Sequence, residues 1–359
     1  IYKIARKYYT TIWAIVTANP GISPANLQPG TEITVPYGTR VVYTDLDYTY
    51  DILELNLRGL KARYPALETG SAGRSVLGRN LYYIRLGNGP VRVSYNGAHH
   101  SLEWITAPLL MNFIEKFLIS YYSGKNLRKI SEGNAIEENT TEGNRGYDPQ
   151  EIWDKSSIFI IPMVNPDGVD IVLNGPKPSN PYYQQLLAWN TTGLPFGEVW
   201  NSNTRGTDLN RNYPASWQEA KDQELYLGVY GPGPTRYGGP YPLSEPETRA
   251  VKAFTEQNNF RLVIAWHTQG EVIYWKYLDL LPPDILKIAE SFSRASGYAV
   301  SNTPYEAAYA GYKDWFIKEY FRPGYTVEAG SGKNPLPISQ FDAIYNDVEE
   351  IMLLAPLLV

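Results

Sequence analysis

Val91-Arg92-Val93-Ser94-Tyr95-Asn96-Gly97-Ala98-His99-His100-Ser101-Leu102-Glu103-Trp104 is the stretch on which the reading of this 359-residue chain turns. Val91 to Tyr95 is an apolar strand candidate, and Ala107 to Tyr121, just beyond, carries apolar residues at helical spacing. Between them lie two of the chain's 3 histidines. The third stands in Trp266-His267-Thr268-Gln269-Gly270, directly behind another strand candidate, Leu262 to Trp266. That economy points to a metal site. A His and a Glu three residues apart on a helical turn project to one side, so His100 and Glu103 can close on one cation. His267 would complete three protein ligands. Zinc suits a mixed imidazole and carboxylate set, and three ligands leave a position open for water, the mark of a catalytic site. His99 and Glu103 also fit one helical face, so spacing alone leaves both histidines open.

Working outward, the chain alternates strand and helix candidates. Leu81 to Leu86, Ile158 to Val164 and Tyr325 to Val327 read as further strands. Ser244-Glu245-Pro246-Glu247 looks like a capping box opening a helix, and Asp284 to Ser296 is a helix ended by Gly297. The order argues for an α/β fold. Stretches at about 123–150 and 174–240, dense in Gly, Asn, Pro and Thr, are long for plain connectors and are expected to form surface and cleft-lining loops. Asn139-Thr140-Thr141 and Asn190-Thr191-Thr192 match a glycosylation pattern that recurs by chance.

Composition narrows the function classes. The 32 basic and 37 acidic residues give a net charge of −5 with no basic run, so no nucleic-acid footprint is present. No cysteine occurs, which excludes disulfides and thiolate ligands. No segment reaches the roughly 18 apolar residues of a membrane span, and the N-terminus shows no signal-peptide pattern, so the chain is expected to be soluble as given. The 30 tyrosines and 9 tryptophans are read as packing rather than as a ligand code.

Taken in chain order, His100-Ser101-Leu102-Glu103-Trp104, Asn165-Pro166-Asp167-Gly168, Asp208-Leu209-Asn210-Arg211-Asn212, Trp266-His267, Asp314-Trp315 and Glu328 together resemble the zinc carboxypeptidase family over residues 44–359. The resemblance implies a mixed sheet flanked by helices. It assigns one Zn2+ per chain to His100, Glu103 and His267, leaves His99 outside the ligand set, and gives Glu328 the role of general base. Asp208 would hold the second nitrogen of His100, Asn210 and Arg211 would anchor a substrate carboxylate, and Arg205 is a candidate for stabilising the developing oxyanion. A catalytic tyrosine has no unambiguous counterpart, since Tyr305, Tyr309 and Tyr312 all lie nearby.

Residues 1–38 form a separate unit: a helical stripe through Ile4 and Tyr8, Thr11 as a cap before Ile12, Ile15 and Val16, a turn at Asn19-Pro20-Gly21-Ile22, and a brief strand ending at Val35-Pro36. This unit resembles a LysM module of βααβ form whose first strand is missing. The resemblance implies binding to N-acetylglucosamine-containing glycan. Lys313, just before Asp314-Trp315, falls where the family lines the pocket beyond the cleaved bond, and a cation there would attract a side chain ending in a carboxylate, such as that of meso-diaminopimelate. With Gly97-Ala98-His99-His100 and Gly311-Tyr312-Lys313-Asp314-Trp315, these features resemble the γ-D-glutamyl-meso-diaminopimelate peptidases of Gram-positive bacteria. The expectation is a zinc peptidase that cleaves peptidoglycan stem peptides and is extracellular or wall-associated. Its rivals are an ordinary metallocarboxypeptidase acting on α-linked peptides, and an inactive wall-glycan-binding protein.

Overall fold

Eight strands form one sheet: β1 (Glu68–Arg74), β2 (Asn80–Leu86), β3 (Val91–Gly97), β4 (Ser156–Ile161), β5 (Leu262–His267), β6 (Val272–Tyr274), β7 (Ala299–Ser301) and β8 (Gly324–Glu328). The computed structural model describes residues 1–7, 10, 12–23, 25–36, 40–127 and 146–359. Tyr8, Thr11 and the pattern at 139–141 lie outside the described residues.

The order across the sheet is β1-β2-β4-β3-β5-β8-β6-β7. Its four central strands, β4, β3, β5 and β8, run parallel, whereas β1 and β2 on one side and β6 on the other pair antiparallel to their inner neighbours. The sheet is therefore mixed, as expected for this α/β chain. β4 and β5 are buried at every position, which explains their unbroken runs Ser-Ser-Ile-Phe-Ile-Ile and Leu-Val-Ile-Ala-Trp-His. Parallel strands covered on both faces have no solvent side on which to alternate. Helices supply the cover. The helix Thr106–Ser123, between β3 and β4, buries thirteen of its residues, and the helix Phe341–Leu354 packs against it and buries nine.

The strand order reverses around β3, because the chain leaves β3 for β4 on one side and later places β5 on the other. Ligand sites in such sheets gather at the carboxyl ends of the strands flanking the reversal. The register makes this concrete: Gly97 lies beside Trp266 and His267 beside Glu328, so the ends of β3, β5 and β8 share one edge.

Two local expectations come out differently. The helix Pro246–Asn258 is preceded by Glu245 as its N-cap, and no side chain caps it; the Ser244 hydroxyl donates instead to the Glu245 carboxylate. Glu247, the expected second half of a capping box, is fully buried and accepts the backbone N–H of Val76 at 3.0 Å. A tertiary partner has displaced the local one. At the N-terminus, helices Tyr2–Lys7 and Ile12–Ala18 form, but residues 31–36 remain extended without strand pairing. Asn19 holds them, accepting the N–H of Thr34 and donating to its carbonyl, each at 2.7 Å. A strand needs a ladder partner, and none lies among the described residues of this unit.

Burial and the nearby Asp167 charge push Glu247 from its ordinary 4.5 up to about 8. The folded chain then binds a proton between these values that the unfolded chain has released, so stability is present at low pH and is lost as pH rises through that window. Thermal unfolding of Glu247→Gln should accordingly lose pH dependence worth on the order of 3 kcal/mol between pH 5 and 8. Melting curves of the two proteins that move in parallel across this range would refute the assignment.

Candidate metal centre

The backbone after β3 is bent by Ala98, which adopts a left-handed φ of 50°. Thr106 Oγ1 accepts the Ala98 N–H at 2.8 Å, and Asn165 donates to the His99 carbonyl at 3.1 Å while its own Oδ1 caps the helix Pro166–Asn174. The Asn165-Pro166-Asp167-Gly168 motif thus works structurally, locking the loop that carries the histidines. Ser101–Glu103 then forms a single 3-10 turn, which brings His100 and Glu103 to one side.

The ring nitrogen Nδ1 of His100 lies 2.9 Å from Glu103 Oε1, and Nδ1 of His267 lies 2.8 Å from Glu103 Oε2. The two Nδ1 atoms are 3.2 Å apart. Among the described residues this is the one group of three or more His, Asp or Glu side chains able to hold a metal ion. Ligand atoms at zinc distances and tetrahedral angles sit roughly 3.3 Å from one another, so the triangle matches a metal's first shell in size. Its chemistry also fits: two ring nitrogens facing each other at this range, beside one carboxylate, are an arrangement that a divalent cation satisfies better than protons do.

Electrostatics tighten the cluster. Burial opposes charge on His100, but the carboxylates of Glu103 and Asp208 outweigh it and raise its pKa well above the ordinary value. Burial likewise works against the Glu103 anion, yet His100 and His267 hold its pKa below the carboxylate range. Asp208 Oδ1 lies 3.2 Å from Nε2 of His100, and despite burial its pKa is depressed by that imidazole. Asp208 also caps the 3-10 turn Leu209–Arg211 by accepting the Asn210 N–H, and its Oδ2 accepts the N–H of Arg236. One carboxylate thereby orients His100 and anchors two loops. His99 is excluded from the cluster: it is fully buried, its Nε2 is 3.0 Å from the Tyr213 hydroxyl, and burial lowers its pKa well below that of a free imidazole.

Glu328 ends β8 and shares a cavity with Asn210, Tyr274, Thr303, Gly311, Lys313 and Asp314. Burial, reinforced by the Glu103 charge, raises its pKa well above that of a free carboxylate. Lys313 lines the same cavity, but its ammonium is paired with Asp314 and donates to the Lys276 carbonyl at 2.8 Å. Asn210 accepts the Tyr312 N–H through Oδ1, leaving its amide nitrogen to face the cavity. Arg211 is 5 % exposed, and both terminal nitrogens already donate, to Gln223 and to the Glu306 carbonyl. Arg205 goes elsewhere: Nε donates to the Tyr182 hydroxyl at 3.0 Å, and the side chain lines a separate cavity with Trp189, Pro232 and Tyr241. Tyr312 is buried against Thr255, which removes it from the candidate tyrosines, while Tyr305 is 60 % exposed. Arg236 was not foreseen; it lines a cavity with His100, Asp208, Asn210 and Arg211.

A family model for zinc carboxypeptidase matches residues 53–351, and one for the LysM domain matches residues 1–36. The chain belongs to the zinc carboxypeptidase family. It is by that membership a zinc metallopeptidase, with a LysM domain at its N-terminus. γ-D-Glutamyl-L-diamino acid endopeptidase 1 of Lysinibacillus sphaericus is 39 % identical over 316 residues, which span 88 % of this chain and 73 % of the relative. A Bacillus subtilis protein, YqgT, is 32 % identical over 307 residues, 85 % of this chain and 76 % of its own. Among solved structures, thrombin-activatable fibrinolysis inhibitor superposes with a TM-score of 0.61 at 19 % identity, covering 88 % of this chain and 74 % of that one. Carboxypeptidase A from Helicoverpa armigera gives 0.60 at 17 % identity, with the same coverage. Both support the zinc carboxypeptidase fold.

Because Asp208 orients His100 from behind, Asp208→Asn should weaken zinc affinity about 10–100-fold. Competition against a chromophoric chelator measures this, and unchanged affinity would remove Asp208 from the metal's support.

Proposed function

We propose that this chain is a zinc peptidase that hydrolyses the γ-D-glutamyl-meso-diaminopimelate bond of peptidoglycan stem peptides at the wall of a Gram-positive bacterium. The observation that carries the peptide hydrolysis is the triangle of His100, Glu103 and His267 beside Glu328, one strand away in register. A bound zinc ion supplies Lewis acidity and lowers the pKa of a coordinated water to about 7. Glu328 takes the proton of the attacking water as its oxygen adds to the amide carbonyl, then delivers that proton to the departing nitrogen as the C–N bond breaks. Glu103 remains anionic between the imidazoles.

The specificity rests on two supports. The first is the likeness to the Lysinibacillus enzyme, named for cleaving beside a diamino acid. The second is the cavity wall beyond Glu328, where Lys313 and Asp314 stand together. The far end of meso-diaminopimelate carries both an ammonium and a carboxylate, and a pair of opposite charges complements it better than a lone lysine would. Asn210, through its free amide, and Arg211 would hold the main-chain carboxylate on the same side. The LysM domain would hold the enzyme on N-acetylglucosamine-containing glycan, raising the local concentration of stem peptides around the site. Among the described residues no helix is long and apolar enough to cross a membrane.

Digestion of purified muropeptides by the zinc-loaded protein, read by mass spectrometry, should release products cut between D-glutamate and diaminopimelate. Intact γ-linkages alongside shortened α-linked peptides would favour an ordinary carboxypeptidase, and no turnover at all a wall-binding protein. Glu328→Gln should retain the metal and lose about 10²–10⁴-fold in kcat. Activity within a few-fold of the parent would discard Glu328 as the proton carrier.

A further inference from the structure

Two guanidinium groups converge on one neutral oxygen at the mouth of the site. Arg236 Nη1 donates to the carbonyl of Glu306 at 2.8 Å, and Arg211 Nη2 donates to the same oxygen. Among the described residues neither arginine forms an ion pair, although Arg211 is almost wholly buried. The carboxylate in their cavity, Asp208, is committed to His100 and to the backbone N–H groups of Asn210 and Arg236, so the two guanidinium groups keep their attraction for an incoming anion. The cavity they line also contains His100, Asp208, Asn210 and Ala307. Asn210 and Ala307 are shared with the cavity of Glu328 and Lys313, so the two spaces adjoin along one wall.

Arg236 is placed there by the backbone. Its N–H is held at 3.0 Å by Asp208 Oδ2, the carboxylate whose other oxygen faces His100, and its φ of 69° is a left-handed conformation that a non-glycine residue adopts only under restraint. The restraint turns the side chain toward Glu306 and Arg211. The segment that supplies the capping carbonyl is a single 3-10 turn, Tyr305–Ala307, followed by Tyr309 and Ala310 in left-handed conformations. A carboxylate adds a full opposite charge and a second acceptor oxygen to what a neutral carbonyl offers a guanidinium, so a substrate carboxylate can displace the Glu306 oxygen.

We infer that Arg236 is a specificity-determining residue, which together with Arg211 forms a two-guanidinium subsite for the main-chain carboxylate of the residue on the leaving-amine side of the scissile bond. This deepens the proposed function and rests on it for the identity of that residue, meso-diaminopimelate. The Glu306 carbonyl marks where one carboxylate oxygen is received. Arg211 alone offers a fork tied down by Gln223, whereas Arg236 brings the donors that Gln223 does not occupy. The subsite reads a free carboxylate against an amide at the same position.

The test compares steady-state kinetics of the zinc-loaded parent, Arg236→Gln and Arg236→Lys on two γ-D-glutamyl-meso-diaminopimelate substrates. They differ only in whether the diaminopimelate main-chain carboxylate is free or amidated. The parent should prefer the free acid, and Arg236→Gln should reduce that preference at least about tenfold in kcat/KM, chiefly through KM. Arg236→Lys keeps the charge without the fork and should recover part of the preference. Zinc content, measured on all three, separates a binding defect from a disturbed metal site. An unchanged preference in Arg236→Gln overturns the inference while leaving the proposed function intact. If the parent cuts neither γ-linked substrate, the proposed function fails first. The same three proteins are then compared on α-linked peptides with free or amidated C-termini, where an unchanged ratio again overturns the role of Arg236.

Discussion

Glu103 is the constraint around which the site is arranged. Its two carboxylate oxygens each meet an imidazole, one from the turn after β3 and one from the end of β5, elements separated by more than 160 residues of chain. A buried carboxylate is tolerable only when its charge is answered, and here two imidazoles answer it from opposite sides. The sheet makes that possible. Because β3, β5 and β8 are parallel neighbours, their carboxyl ends arrive at one edge, and the register sets His267 beside Glu328 on adjacent strands. A single slip of β8 against β5 would turn Glu328 to the other face of the sheet, away from the cluster.

The same logic extends one layer back. Asp208 faces His100, yet it also holds the backbone of Asn210 and of Arg236, so the charge that orients His100 simultaneously anchors the two loops that line the neighbouring cavity. The proposed metal cluster and the cavity beside it are therefore mechanically joined through one carboxylate. This explains why the Asp-x-Asn-Arg spacing is so short: Asp208 caps a single 3-10 turn, and that turn carries Asn210 and Arg211.

The legible parts of the fold were those whose residues face a uniform environment. β4 and β5 are covered on both sides and read as apolar runs, and the helix Thr106–Ser123 shows its period because most of it is buried. β1, Glu-Thr-Gly-Ser-Ala-Gly-Arg, is a polar edge strand with an irregular register, and β6 and β7 are three residues each. Their pairing is imposed by neighbours, and no local pattern records it. Within the site, the cluster of His100, Glu103 and His267 was legible because histidine is scarce here and because the motifs occur in family order. Side-chain direction was not: Arg205 turns to Tyr182, and Lys313 is answered by Asp314, outcomes decided by residues distant in sequence or by an adjacent charge whose orientation spacing does not encode. The Ser244 to Glu247 string failed as a capping box for the same reason, since the Val76 N–H reaches Glu247 from another strand connection.

Arg236 shows what kind of information a motif cannot carry. It sits in Pro234-Thr235-Arg236-Tyr237-Gly238-Gly239-Pro240, inside the long stretch expected only to line a cleft. This loop is shaped by close approach: a Cβ at Gly239, whose φ is 85°, would lie 2.3 Å from Ser244 Oγ and 2.7 Å from Asn212 Nδ2. A Cβ at Gly238 would lie 2.5 Å from the Arg211 carbonyl. Both glycines therefore let the loop press onto the 3-10 turn that bears Asn210 and Arg211, and Tyr237 completes the attachment by accepting the Asp208 N–H through its carbonyl at 2.7 Å. Once the loop is pinned at that distance, the residue before Tyr237 has little choice of position. Its identity as arginine, rather than the geometry that places it, is then the variable that chemistry can select, which is how a residue outside every motif comes to line the cavity of Asn210 and Arg211.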